Sequence, residues 1–326
     1  MPLKYLLAGL VIALAACSDS SDNRNPDPEP PEPPPAQPEF SAEIRRTEYG
    51  IPHVVAEDWP SLGYGIGYAY AQDNFCIIMR EIVFSLGRSA ELIGEDNGGN
   101  VDTDLLYTFL HGGKENLEQE FFTQLSETAQ DLFDGFARGM NRYLGETGVD
   151  NLPEGERGCR GADWVFEVDA VDLLSVQLRQ ALRGSSTNGT FASAILATEG
   201  PGTGQPATRL DAGARASIRQ GASEVGRQLR NPDQGSNALA LGRDITVNGS
   251  GLLLGNPHQP WFGEGAWYLA HLTIPGLYDA AGAALHGVPF IGIGFTRDLA
   301  WTHTVSLANR FSLYELKLLP DNPLQY

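Results

Sequence analysis

Residues 231–262 read NPDQGSNALALGRDITVNGSGLLLGNPHQPWF, and the fold turns on how this stretch is divided. Before it, residues 184–235 are dominated by Gly, Ser, Thr, Ala and Pro, with almost nothing large and apolar to bury, which is the composition of a linker. At Gly235-Ser236-Asn237 the pattern changes to strand material. Ser-Asn-Ala-Leu-Ala-Leu-Gly alternates, and residues 252–254 are a short apolar run. A flexible spacer thus meets a strand at Gly235–Ser236, and His258 follows in Asn256-Pro257-His258.

Downstream, residues 267–274 and 288–295 continue the β pattern, so the second half reads as β-rich. Upstream, IRRTEYGIPHVVAED from Ile44 has a Gly-Ile-Pro break between two extended pieces and reads as strand, turn, strand. Phe75, Ile78, Met79, Ile82, Val83 and Leu86 carry the spacing of an amphipathic helix ending near Gly87. Further helices are expected over about 126–144, with Leu132, Phe133, Phe136, Met140 and Tyr143 on one face, and over 169–182. The fold class is α+β.

The chain has 326 residues with 41 acidic and 22 basic, a net charge of −19, and its longest basic run is the pair Arg45–Arg46. That balance argues against nucleic acid or an anionic membrane surface as partner. Residues 1–17, MPLKYLLAGLVIALAAC, place one Lys before an apolar run too short to span a bilayer, which reads as a secretory signal. Leu14-Ala15-Ala16-Cys17 resembles a bacterial lipobox, with Cys17 as the lipidated residue and Ser18 after it favouring the outer membrane; an ordinary signal peptide is the alternative. Residues 18–39 hold eight of the 21 prolines and form an extended tether rather than a core. The expected location is exported, periplasmic or at the outer membrane, with the lipid as the only membrane attachment. In that oxidising setting the remaining Cys76 and Cys159 are expected to pair as a disulfide, against the alternative of two buried free thiols. No C-x-x-C or H-E-x-x-H spacing supports a zinc site, and no cofactor is expected.

No G-x-S-x-G elbow, S-x-x-K or P-loop occurs. What does occur is an ordered series: IRRTEYGIPHVVAEDWPSLGYGIGYAYAQDNF, LSETAQDLFDGFARGMNRYL, GSNALALG, LLLGNPHQPW, WYLAHLTIPGLYDAAGAALHGVPFIGIGFTRDLAWTHT and LYELKL. In these motifs the sequence resembles the penicillin acylase family of N-terminal-nucleophile hydrolases. It is closest to the branch of acyl-homoserine-lactone acylases and aculeacin A acylase. The resemblance implies a four-layer αββα sandwich, incomplete in this chain, built jointly from a small subunit (40–183) and the start of a large one (236–326). Residues 184–235 become a pro-segment spacer, and self-cleavage gives a heterodimer of the two subunits.

The chemistry has a physical basis. A serine hydroxyl needs an adjacent base, and as first residue of a chain Ser236 has one in its own α-amine, whose reference pKa of about 7.7–8.0 leaves a useful neutral fraction. Gly235 suits the cut because it admits close approach. By resemblance, Ser236 attacks the Gly235 carbonyl and later forms the acyl-enzyme. The Val305 N–H supplies an oxyanion donor, His258 orients the amine and Asn237 positions the new terminus. Leu285, Val288 and Trp267 line the acyl pocket, and Gln259 stands where the branch carries an aromatic. Asn309-Arg310-Phe311-Ser312 replaces the aspartates that hold calcium in classical members, so no metal is expected there. His303 is read as structural, and His53, His111, His271 and His286 receive no role. The substrate implied is an N-acylated small molecule, an acyl-homoserine lactone or acylated peptide. The alternatives are a penicillin- or cephalosporin-type acylase and a tethered lipoprotein that binds without catalysis. The resemblance also implies a longer protein, with the second oxyanion donor beyond residue 326 and this piece alone a poor or inactive enzyme.

Overall fold

A computed structural model describes residues 39–95, 99–155, 158–185, 235–263 and 265–304, with short helical turns at 212–213, 216–217 and 220–221. The helices come first. Asp58 opens α1 (Trp59–Ser85) by accepting the Ser61 N–H at 2.8 Å, with Pro60 in the first turn, where its missing N–H costs nothing. Two short turns follow, α2 (Ser89–Leu92) and, after α3 (Val101–His111), α4 (Lys114–Asn116). Asn100 caps α3 at its start and Gly112, at φ 73°, ends it in the left-handed conformation. Ser126 caps α5 (Glu127–Thr147), and Asp169 caps α6 (Ala170–Ser185) by accepting the N–H groups of Val171 and Asp172. Lys114 bridges Asp169 and Asp172 from the side.

The two long helices α1 and α5 cross with their backbones nearly touching. A Cβ added at Gly63 or Gly67 would fall against the carbonyls of Leu132 and Phe136, and one at Gly135 or Gly139 against those of Pro60 and Tyr64, all closer than 3.0 Å. Around this crossing Leu62, Ile66, Tyr70, Phe75, Phe136 and Met140 are completely buried. Cys76 and Cys159 form a disulfide with a Cα separation of 5.4 Å, as expected, pinning the loop after α5 to α1.

Against this helical layer lies a six-stranded sheet in the order β1-β2-β5-β6-β7-β8. β1 (Ala42–Arg46) and β2 (Pro52–Ala56) come from the first half of the chain. β5 (Trp267–Ile274), β6 (Tyr278–Leu285), β7 (Ile293–Phe295) and β8 (Ala300–Trp301) come from the second. All neighbours are antiparallel except β2 and β5, which run parallel with His53 opposite His271 and Val54 opposite Leu272. One sheet is therefore shared by both sides of the spacer. A separate two-stranded ribbon, β3 (Gly235–Leu241) and β4 (Leu252–His258), completes the described strands.

Three readings need correction. A break at Asn74 (φ −144°, ψ 24°) divides α1, so the helix read from Phe75 is its second half, and what the reading missed is the first half from Trp59, whose glycines serve contact with α5. Of 288–295 only the last three residues are strand, since Pro289 and Gly292 interrupt the ladder. Helix α3 was not anticipated. Residues 1–38, including Cys17 and the tether, and nearly all of the spacer lie outside the described residues, as does 305–326 with the Asn309–Ser312 stretch. The helical layer and shared sheet make an α+β architecture. Among the described residues no helix is long and apolar enough to cross a membrane.

The crossing yields a test. Gly135→Ala is expected to destabilise by about 1–3 kcal/mol, because the Pro60 carbonyl occupies the added methyl's place. Gly145→Ala, on the same helix with nothing within 4 Å, is expected to be neutral or stabilising by up to about 1 kcal/mol. Urea midpoints of the two variants and parent measure the contrast.

Candidate active site

Strand β3 pairs with β4 so that Gly235 lies opposite His258, Ser236 opposite Pro257, Asn237 opposite Asn256 and Ala238 opposite Gly255. Because side chains alternate along a strand, Ser236, Ala238, Gly255 and Leu253 share one ribbon face, and Asn237, Leu239, Leu254, Asn256 and His258 share the other. The first face looks toward the six-stranded sheet. There Gly255 sits so close to Thr302 that an added Cβ would lie 2.9 Å from its Oγ1. A cavity of about 230 Å³ separates the layers, with Leu253 and Gly255 on the ribbon side and Leu269, Ala283, Phe295 and Trp301 on the sheet side.

On the opposite, exposed face, the His258 ring is held by two amides. Asn237 Nδ2 lies 3.0 Å and Asn256 Nδ2 3.2 Å from His258 Nε2. The other ring nitrogen, Nδ1, is the nearest atom to the place a Cβ would take on Gly235, at 3.2 Å. The structure thus sets Gly235, Ser236, Asn237 and His258 together at one end of the ribbon. Val305 lies outside the described residues, which reach Thr304.

The four pocket residues are less united. Trp267 and Leu285 are register partners and share the sheet face turned away from the helices. Trp267 lines an open cavity of about 590 Å³ with Arg46, Tyr49, Gln72 and Asp73, and Leu285, Val288 and Gln259 are not among its walls. Val288 is buried in the turn after β6, its N–H donating to the Leu285 carbonyl at 3.3 Å. Gln259 follows the end of β4.

The penicillin amidase profile matches residues 41–326. The chain belongs to the penicillin amidase family. Acyl-homoserine lactone acylase PvdQ of Pseudomonas fluorescens Pf-5 is 40% identical over 298 residues, which are 89% of this chain and 36% of that protein. Aculeacin-A acylase of Actinoplanes utahensis is 34% identical over 98% of this chain and 39% of its own length. Among solved structures, a thermostable penicillin G acylase from Alcaligenes faecalis is 26% identical, covering 58% of this chain and 88% of that one with a TM-score of 0.39. The chain spans a little over a third of the length of the curated relatives it matches.

In this member of the penicillin amidase family two of the polar clusters outside the ribbon border the shared sheet, and neither is legible in the sequence. Arg46 donates to Asp73, Gln72 and the Gly50 and Ala69 carbonyls, while the Tyr268 hydroxyl donates to Asp73 at 2.6 Å. Burial and the Asp73 carboxylate raise the Tyr268 phenol far above its usual range. The second cluster crosses the parallel strands. His53 Nδ1 and His271 Nδ1 are 2.9 Å apart, so one donates and the other accepts, and His271 Nε2 lies 2.6 Å from Asp279 Oδ1. His271 holds the Asp279 carboxyl below its ordinary value. Only the β2–β5 register reveals this pairing, since the two histidines are far apart in sequence.

His286, between Leu285 and Val288, is buried, and burial pushes it down to about 4. In the unfolded chain it titrates near 6.5, so the unfolded state binds the extra proton between those values. Its contribution is fully present above pH 6.5 and is lost as pH falls toward 4. Between pH 7 and 4.5 the loss is expected to be about 2–3 kcal/mol. Urea unfolding at the two pH values should show a smaller difference for His286→Gln than for the parent.

Proposed function

We propose that this protein is an amidohydrolase of the N-terminal-nucleophile type, which removes the acyl chain from N-acylated small molecules through Ser236. The Gly235–Ser236 bond is cut first: Ser236 Oγ bonds to the Gly235 carbonyl carbon, the C–N bond breaks as the Oγ proton passes through water to the departing Ser236 nitrogen, and water then hydrolyses the resulting ester to a Gly235 carboxylate and a free Ser236. The products remain together as a heterodimer. In turnover the freed α-amine takes the Oγ proton, the acyl group passes to Oγ as the amine product leaves, and water releases a carboxylic acid.

The observation that carries this reading is the placement of Ser236 and His258 on opposite ribbon faces, with the histidine ring against Gly235. A Ser–His dyad needs its two side chains in hydrogen-bond reach. Once the Gly235–Ser236 bond is cut, the nitrogen of Ser236 itself is a free amine, a basic atom beside Oγ. The names of the relatives, acyl-homoserine lactone acylase and aculeacin-A acylase, support a substrate with an apolar acyl chain on a small amine or peptide. The Val305 N–H is the proposed oxyanion donor, and Leu285, Val288, Trp267 and Gln259 the proposed acyl-pocket residues. Cys17 is the proposed lipid anchor of an exported protein, with residues 18–39 as its tether.

Intact-mass analysis of purified protein should find a chain beginning at Ser236, and Ser236→Ala should remain uncut and release no acid from a long-chain acyl-homoserine lactone. An uncut parent whose Ser236→Ala variant hydrolyses that substrate equally well would overturn the reading.

A further inference from the structure

Asn256 lies on the exposed ribbon face and belongs to none of the roles above. Its amide nitrogen is 3.2 Å from His258 Nε2, and the Asn237 amide nitrogen is 3.0 Å from the same atom. A side-chain NH₂ group has hydrogens to give and no lone pair to offer, so both contacts require Nε2 to accept. A neutral imidazole that accepts at Nε2 carries its proton on Nδ1. Nδ1 is the ring atom set 3.2 Å from the Cβ position of Gly235, the residue whose carbonyl is attacked in the proposed self-cleavage.

We infer that Asn256 is a positioning residue: with Asn237 it clamps His258 as the Nδ1–H tautomer, so that the Gly235–Ser236 junction meets a hydrogen-bond donor rather than a base. This rests on the self-cleavage reading. As Ser236 Oγ bonds to the Gly235 carbonyl carbon, negative charge grows on the carbonyl oxygen, and an N–H held on the ribbon face beside Gly235 sets the positive end of a fixed dipole near that charge, where a bare ring nitrogen would set a lone pair. The two amides come from different strands at paired positions, Asn237 opposite Asn256, so the clamp is assembled only when the β3–β4 register is correct. Correct ribbon pairing and readiness to cut are thereby the same event.

The test uses the full chain labelled with ¹⁵N-histidine. Long-range ¹H–¹⁵N spectra should show His258 as the Nδ1–H tautomer, assigned by its loss in His258→Gln. Asn256→Asp replaces a donor by an acceptor and is expected to move the proton to Nε2 and to slow cleavage at Gly235–Ser236, followed by intact mass, by about a hundredfold. Asn256→Leu, which removes the amide without inverting it, should slow cleavage less. The inference is overturned if parental His258 is the Nε2–H tautomer, or if Asn256→Asp inverts the tautomer and cleavage keeps its rate. A parent that shows the Nδ1–H tautomer yet never cleaves overturns the self-cleavage reading, and with it the role given to the clamp, while the tautomer itself stands.

Discussion

The closeness of α1 to α5 is the constraint on which most of the structure depends. Four glycines, two on each helix, let each backbone rest on the other's carbonyls. A glycine inside a helix costs about 1 kcal/mol relative to alanine, so this segment is a poor helix former by local propensity. Burial of Leu62, Ile66, Tyr70, Phe136 and Met140 around the crossing offsets that cost. Because α1 also packs on β1, β2 and β5, its position fixes the helical layer against the sheet. Its second half carries the Cys76 disulfide and a buried ion pair in which Glu81 lies 2.6 Å from Arg179 of α6. Removing either charged partner would leave the other's charge buried without its counter-ion, at a cost of about 3 kcal/mol.

What could be read from residues alone followed from how local the deciding physics is. The β1–β2 hairpin was legible because apolar alternation and a Gly-Ile-Pro break sit within fifteen residues. The first half of α1 was not, since SLGYGIGYAY looks like a breaker until the carbonyls of α5 are known to lie against it. Helix α3 did carry local signals, Asn100 before it and Gly112 after it, and a closer reading of caps would have found it. The Gly235–Ser236 junction was visible as a change in composition. The separation of Ser236 and His258 onto two faces depends on hairpin register, which a one-residue slip would reverse. The His53–His271 contact was invisible, because a parallel pairing between strands this distant leaves no local trace.

The proposed nucleophile and the histidine beside its cleavage point share one short ribbon. His258 on its outer face lies against Gly235, while Ser236 is on the face that also carries Leu253 and Gly255 and looks toward the sheet. The two functions are separated by one peptide plane rather than by a loop. In the proposed function, self-cleavage and acyl transfer would then draw on opposite sides of the same two strands.

The parallel seam between β2 and β5 has a further meaning for a chain cut at residue 235. The disulfide joins Cys76 to Cys159, both on the same side of that cut, so no covalent bond of the described structure crosses it. What crosses is non-covalent: the strand pairing, the Tyr268–Asp73 and His53–His271 contacts, the Tyr70 hydroxyl donating to the Leu285 carbonyl at 3.2 Å, and the Gln180 amide donating to the His286 carbonyl at 2.9 Å. Before cutting, folding of the one chain is a unimolecular event. Afterwards two polypeptides must find each other again, so refolding becomes concentration-dependent and unfolding close to irreversible. The lifetime of the cut protein is then set by the rate at which this seam opens rather than by an equilibrium stability.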